Sequence, residues 1–329
     1  MKPILSELCT AFIQNRDTLK DTFRWESAYM IPVCAATFTN KRKTAAEGEL
    51  KSCAEILKKK TGIFSNFRGY IKLSMISLMA VSEGYEQMLN NALTVYQSLK
   101  EHFSSSSYLP LASMIIAEMA EPMRYDEIAV RARQIYELMK KEHPFLTSGE
   151  DSVFAALLAL SNQGTEQQIT EETERCYTLL KREFSGSNAV QSLSHVLALG
   201  EESAAKKCER TISLYYKLKE KGLKYGTNYE LATLGVLALI PADLNEIVQE
   251  VSSVDAFLSE QKGYGILGVG KKQRLMHASM LVASAFTSEQ KDSAMNPAAI
   301  SGAVSLIIAQ EIAICAAIAA SAAASSASN

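Results

Sequence analysis

Two markers recur through the middle of this chain at one shared interval, and no other feature restricts its fold as strongly. The segments YQSLKEHF at Tyr96, YELMKKEHPF at Tyr136, YTLLKREF at Tyr177, YYKLKEKG at Tyr215 and FLSEQKGY at Phe257 begin 40, 41, 38 and 42 residues apart. The second marker is an alanine that follows Met or Leu inside an apolar run. It falls at Ala80, Ala120, Ala159, Ala198 and Ala238, in steps of 40, 39, 39 and 40. A period near 40 is the length of a two-helix unit, which buries its apolar face only by stacking on its neighbours.

Each period divides in two. Leu109–Ala120, Val153–Leu160, Val190–Leu199 and Leu231–Ile240 are nearly all apolar without alternation, which predicts buried inner helices. The second part is charged and amphipathic. In Asp126–Lys141, Ile128, Ala132, Ile135 and Leu138/Met139 recur at helical spacing, while Glu127, Arg131, Arg133 and Lys140 are assigned to the solvent side. The Tyr marker lies towards the end of this outer helix, placed to lean across its inner partner. Stretches rich in Gly, Ser, Asn and Asp, such as Ser185–Asn188 and Gly222–Asn228, end one helix and cap the next.

The pattern extends outward. Arg274–Ala285 reads as a further inner helix, Ala28–Phe38 and Glu47–Lys60 as a degenerate first pair, and Ile4–Leu19 as a capping helix. Pro32 predicts a kink or a late helix start. Seven Pro and 16 Gly among 329 residues suit helices better than a many-stranded barrel. The expectation is an all-α fold, an α-solenoid of about six or seven helical pairs. It is either a HEAT-like open stack or one curving towards an α/α toroid. Residues 1–292 form the helical-repeat domain, with a cap to about residue 62 and repeats over 63–292. Residues 293–329 form an Ala-rich helix and frayed tail.

Charge and cysteine usage narrow the function classes. With 34 Lys+Arg against 36 Asp+Glu, the net charge of −2 argues against a general polyanion binder. The basic clusters Lys58–Lys60, Lys140–Lys141, Lys181–Arg182 and Lys219–Lys221 fall at outer-helix C-terminal ends, where cations offset the macrodipole. Cys9, Cys34, Cys53, Cys176, Cys208 and Cys315 show no C-x-x-C pair and no nearby His at metal-ligand spacing, so they read as small buried hydrophobes and no metal site is expected. Charges throughout Met1–Asp21 speak against a secretory signal, and the expected location is cytoplasmic. The Ala298–Ala320 window is close to the length of a membrane span, but Gln310 and Glu311 sit near its centre. A final helix packed on the last repeat is the preferred reading, and any membrane association would have to use this segment.

Several motifs then stand out in order along the chain. They are GIFSNFRG at Gly62–Gly69, YLPLASMIIAEMAEP at Tyr108–Pro122 and KKEHPFLTSGED at Lys140–Asp151, followed by QSLSHVLALGEE at Gln191–Glu202, LKYGTNYELATLGVLALIP at Leu223–Pro241 and GVGKKQRLMHASMLVA at Gly268–Ala283. Together they resemble a bacterial domain-of-unknown-function family, number 4003, over roughly the first 290 residues. The resemblance brings no activity, cofactor or catalytic residue with it.

No standard catalytic motif is present: there is no P-loop, no H-E-x-x-H, no G-x-S-x-G and no EF-hand. The glycines of GYGILGVGKK at Gly263–Lys272 lack a preceding strand and the spacing of a phosphate loop. Alignment on the alanine marker puts the turns before the inner helices at one end of the array. The candidate ligand-binding residues there are Arg68, Asp151, Asn188, Tyr229, Glu230, Lys271 and Arg274, with His195 and His277 about a turn below. His195 interrupts the apolar run SLSHVLALG, either as a functional group or as a buried histidine donating to a carbonyl. Asp151 and Glu230 double as first-turn carboxylates that suit the helix dipole. The expected partner is a protein or peptide held on the repeat surface. A small-molecule site or active site at the inner-helix N-termini is the alternative, and nucleic acid is disfavoured.

Overall fold

The computed structural model describes residues 1–62, 65–69, 71–161, 164–265, 268–293 and 309–318. The named elements are helical, and no strand occurs among the described residues; one isolated bridge pairs Tyr264 with Val269. In chain order the α-helices are α1 (Pro3–Thr22), α2 (Met30–Asn40), α3 (Glu47–Lys60), α4 (Lys72–Ala80), α5 (Tyr85–His102), α6 (Leu109–Met119) and α7 (Tyr125–Glu142). There follow α8 (Asp151–Leu160), α9 (Glu166–Leu180), α10 (Ser187–Ala198), α11 (Ala204–Glu220), α12 (Leu231–Leu239), α13 (Leu244–Ser259) and α14 (Lys271–Ser293). A last helix, α15, covers 309–318.

Even-numbered and odd-numbered helices differ in kind, as the two halves of the sequence period predict. Every residue of α8 is buried, as is every residue of α12 from Leu231 to Ala238. A helix apolar all round is stable only when surrounded, and each fully buried Leu, Ile or Phe contributes about 1.5–3 kcal/mol. The odd helices from α3 to α13 bury one stripe: Leu50, Cys53 and Leu57 in α3; Met88, Leu89, Ala92, Val95 and Leu99 in α5; Ile247, Val248, Val251, Val254 and Leu258 in α13. Their ends carry the expected charges, with Glu47 and Glu49 opening α3 and Lys58, Lys59 and Lys60 closing it. Asp243 caps α13 by accepting from the Asn245 and Glu246 N–H groups. Pro32 lies in the first turn of α2, where its missing N–H would have had no intrahelical partner, so the helix starts late and needs no kink.

The chain divides into two compact units, one made of Met1–Ile13 with Glu171–Ala317, the other built on Gln14–Thr170. In the Gln14–Thr170 unit α2 packs on α4, α4 on α6 and α6 on α8, while α3 packs on α5 and α5 on α7. Sequential pairs α3–α4, α5–α6 and α7–α8 join the two series. In the Glu171–Ala317 unit the same rule holds: α10 packs on α12, α12 on α14 and α11 on α13, with α11–α12 and α13–α14 as sequential pairs. Each unit is thus a layer of apolar helices backed by a layer of amphipathic ones.

All ten residues of α15 are buried, including Gln310 and Glu311. Among the described residues no helix is long and apolar enough to cross a membrane. The rest of the Ala298–Ala320 window, 298–308 and 319–320, lies outside the described residues. All six cysteines are buried free thiols.

Candidate functional site

The turns that enter the buried helices carry most of the polar structure. At the start of α8 the Asp151 carboxylate, 3% exposed, accepts from the Ser148 N–H at 2.7 Å and faces the Ser148 hydroxyl at 3.4 Å. The Tyr136 hydroxyl donates to the Ser148 carbonyl. At the start of α12 the Glu230 carboxylate, also 3% exposed, accepts from the Asn228 N–H at 3.1 Å. It lies over Gly226, where a Cβ would come within 2.2 Å of the carboxyl carbon, so only glycine leaves room for it. Both acids fold back onto the turn before their own helix, which satisfies backbone donors at a helix start.

Turns one period apart also touch within each unit. In the Gln14–Thr170 unit the Asn66 side-chain amide donates to Ser105 Oγ at 2.8 Å and to the Ser106 carbonyl, and Ser106 Oγ donates to the Gly149 carbonyl at 3.2 Å. In the Glu171–Ala317 unit Gln273 Nε2 donates to the Tyr229 hydroxyl at 2.8 Å. The Tyr markers also make aromatic contacts outside their own helices. Three of them meet, edge to face, a Phe of the preceding turn: Tyr96 with Phe67 at 5.0 Å, Tyr136 with Phe103 at 5.4 Å, and Tyr215 with Phe184 at 5.2 Å. That geometry suits the aromatic quadrupole and ties an outer helix to the end of the one before it.

At the opposite ends of the buried helices lie two arginines that sequence reasoning misplaced or passed over. Arg131 of α7 is only partly exposed, with 17% of its side chain open to solvent. It donates to the carbonyls of Ala159 at 3.5 Å, Ser161 at 3.1 Å and Gly164 at 2.6 Å, and pairs with Glu166 at 3.1 Å. Arg210 of α11 donates to the carbonyls of Ala238 and Ile240 at 2.8 Å each and of Ala242 at 2.5 Å. Ala159 and Ala238 are two of the marker alanines of the sequence, so both guanidinium caps close on marker positions. The helical wheel placed Arg131 by its own helix alone, and the carbonyls that recruit it belong to the next buried helix.

The candidate residues fall into both units. Arg68 and Asp151 belong to the Gln14–Thr170 unit; Asn188, His195, Tyr229, Glu230, Lys271, Arg274 and His277 belong to the other. Arg68 ends a short 3-10 turn and is half-buried, and Asn188 and Lys271 are exposed at helix starts. Arg274 forms a two-pronged ion pair with Asp255 at 2.8 and 2.9 Å. His277 is buried, with Nδ1 2.9 Å from the Tyr264 hydroxyl and its ring against Phe12 and Tyr264. His195 is completely buried on α10. The glycine-rich segment closes on itself: the Val269 N–H donates to the Gly263 carbonyl and the Gly265 N–H to the Val269 carbonyl. Gly263 and Gly265 take φ of +93° and +141°, a region side chains avoid. Residues 266–267 lie outside the described residues. Among the described residues no cluster of three or more His, Cys, Asp or Glu could hold a metal ion.

A model of the family described as a protein of unknown function, DUF4003, matches residues 15–315. The chain belongs to the DUF4003 family. It is similar to the uncharacterized protein YeaA of Bacillus subtilis (strain 168), 23% identical over 323 residues that cover 95% of this chain and 94% of that protein. No solved structure matches it. DUF4003 membership thus fixes kinship while leaving the chemistry of the turns to be judged from their geometry.

That geometry makes one prediction at Asp151. Burial pushes its carboxyl up to about 7, opposed by the Ser148 N–H bond and reinforced by Glu150. An acid raised in the folded state takes up more protons there than in the unfolded chain. Its contribution to stability therefore falls as pH rises from about 4, the unfolded value, to about 7, and is constant above. Asp151→Asn keeps an oxygen for the Ser148 N–H and removes the ionisation. The variant is expected to flatten the stability profile between about pH 4 and 7 and to lose nothing at pH 8. Urea midpoints across that range check it.

Proposed function

We propose that this protein is a helical-repeat scaffold, an α-solenoid of about six or seven helical pairs that binds a protein or peptide in the cytoplasm. The reading treats residues 1–292 as the repeat domain and 293–329 as its C-terminal extension. The observation that carries it is the recurrence, inside each unit, of the same even-on-even and odd-on-odd packing with turn-to-turn contacts 40, 43 and 44 residues apart. An array of that kind spends its apolar helices on neighbour packing and leaves its turns and outer faces for recognition.

Two exposed aromatic side chains support recognition of a macromolecule. Trp25 and Phe145 are each 99% exposed, in the turns that lead to α2 and α8. Large rings in open solvent are the usual anchors of binding hot spots. Several rim candidates have internal tasks, Asp151 and Glu230 at their own turns and Arg274 with Asp255. Arg68, Asn188 and Lys271 are the members of the set that a partner could reach.

The test is affinity capture followed by measurement with the purified partner. Trp25→Ala with Phe145→Ala is expected to weaken binding about 30-fold or more while leaving the circular-dichroism melt unchanged. A partner that binds the double variant as tightly would remove Trp25 and Phe145 from the reading. Saturable binding of a small molecule by the unmodified chain, with no protein or peptide ligand, would favour the alternative site.

A further inference from the structure

The Glu171–Ala317 unit brings two of the six cysteines together from separate helices. Cys176 lies on α9 and Cys208 on α11, 0% and 2% exposed. The Cys208 thiol donates to the Cys176 carbonyl oxygen at 3.7 Å, so the two cysteines are direct neighbours across the helices. Cys9 and Cys34, by contrast, face Met1 and Ser74. A sulfur that lies against the main chain of a second cysteine needs only side-chain rotation to approach that residue's thiol.

The surroundings favour reaction. Lys207, next to Cys208 in the chain, is 4% exposed, and its ammonium is fixed by Glu172 at 2.7 Å and by the Gly200 carbonyl at 2.9 Å. Cys176 and Lys207 hold the Cys208 thiol below its ordinary value against burial and Glu172, while Cys208 and burial push Cys176 up. One sulfur is therefore the better nucleophile and the other retains its proton. A groove of about 560 Å³ runs between α9 and the start of α11. Its walls include Arg175 and Thr178, on either side of Cys176 in the chain, and Ala204, one turn before Cys208.

We propose that Cys176 and Cys208 form a reversible dithiol–disulfide site, oxidised by a hydroperoxide that enters along this groove, and that the bond ties α9 to α11. The Cys208 thiolate attacks the terminal oxygen of the hydroperoxide. The O–O bond breaks, the alcohol or water leaves with a proton, and a sulfenic acid forms on Cys208. Cys176 then attacks that sulfur, the S–O bond breaks, and water leaves with the Cys176 proton. The two thiols lose two electrons and two protons, and the hydroperoxide gains them. A small thiol returns the pair to the reduced state by exchange.

The experiment treats the reduced full-length protein with one equivalent of hydrogen peroxide under native conditions, then unfolds, alkylates and digests it for mass spectrometry. The expected product is a single linked species carrying Cys176 and Cys208, formed about tenfold or more faster than oxidation at Cys9, Cys34, Cys53 or Cys315 and reversed by dithiothreitol. Cys176→Ala should leave a dimedone-trappable sulfenic acid on Cys208, and Cys208→Ala should leave Cys176 alkylatable. The unmodified chain alone decides the matter should either variant not fold. Recovery of Cys176 and Cys208 as separate alkylated peptides, or of either linked indiscriminately to other cysteines, overturns the proposal.

Discussion

Arg210→Ala is expected to lower stability by about 3 kcal/mol, seen as a fall in the urea midpoint with an unchanged m value. The guanidinium holds the carbonyls of Ala238, Ile240 and Ala242 at 2.8, 2.8 and 2.5 Å, where α12 ends and the chain turns towards α13. Terminal carbonyls have no partner within their own helix. A charge-assisted bond to such a group contributes about 1.5–3 kcal/mol, and alanine removes three together while water recovers part of the loss. Arg210→Lys should recover less than half, because an ammonium keeps the charge but cannot span three oxygens with a planar fork. An alanine variant within about 0.5 kcal/mol of the parent would show that solvent serves these carbonyls equally well.

Gly235→Val should be as damaging, again by about 3 kcal/mol, for the opposite reason. Gly235 lies in the middle of α12 where it packs on α10. A Cβ there would stand 2.6 Å from a Leu193 methyl and 3.0 Å from Val196 Cγ1. Valine adds two further carbons to space already filled, forcing the helices apart or both neighbours off their rotamers. Gly235→Ala is the informative companion. The Leu193 methyl is the far end of a flexible chain, and the gain in helix propensity of about 1 kcal/mol offsets part of the clash, so alanine should cost far less than valine. Equal losses for the two variants would mean that the backbone requires glycine at this position for another reason.

The helices were legible in the sequence because their signals are local. Glu47–Lys60 is predicted and found with the same ends, since acids open it, lysines close it and Leu50, Cys53 and Leu57 mark one face. The apolar runs at Leu109 and Leu231 begin their helices where expected. What escaped the sequence depends on partners tens of residues away. Arg131 falls on the polar side of its own helix, and only folding delivers the carbonyls of Ala159 and Ser161 to it. The Tyr markers were recognised as packing residues, but the Phe rings that Tyr96, Tyr136 and Tyr215 meet sit in the turn before and carry no local signal. Cys176 and Cys208 each read as an isolated buried thiol, because a spacing of 32 residues carries no motif. Among the site candidates, Asp151 opens α8 as a first-turn acid, whereas Glu230 stands one residue before α12 as its N-cap; their depth was not readable, since it depends on what covers the turn.

The arginine joints at Arg131 and Arg210 grip main-chain oxygen, an atom every amino acid supplies. A clasp of that kind is indifferent to the side chains it holds: residues 159, 161, 238, 240 and 242 could change identity and the joint would still close. Such a chain can rewrite its text at those five positions while the end of each buried helix keeps its anchor.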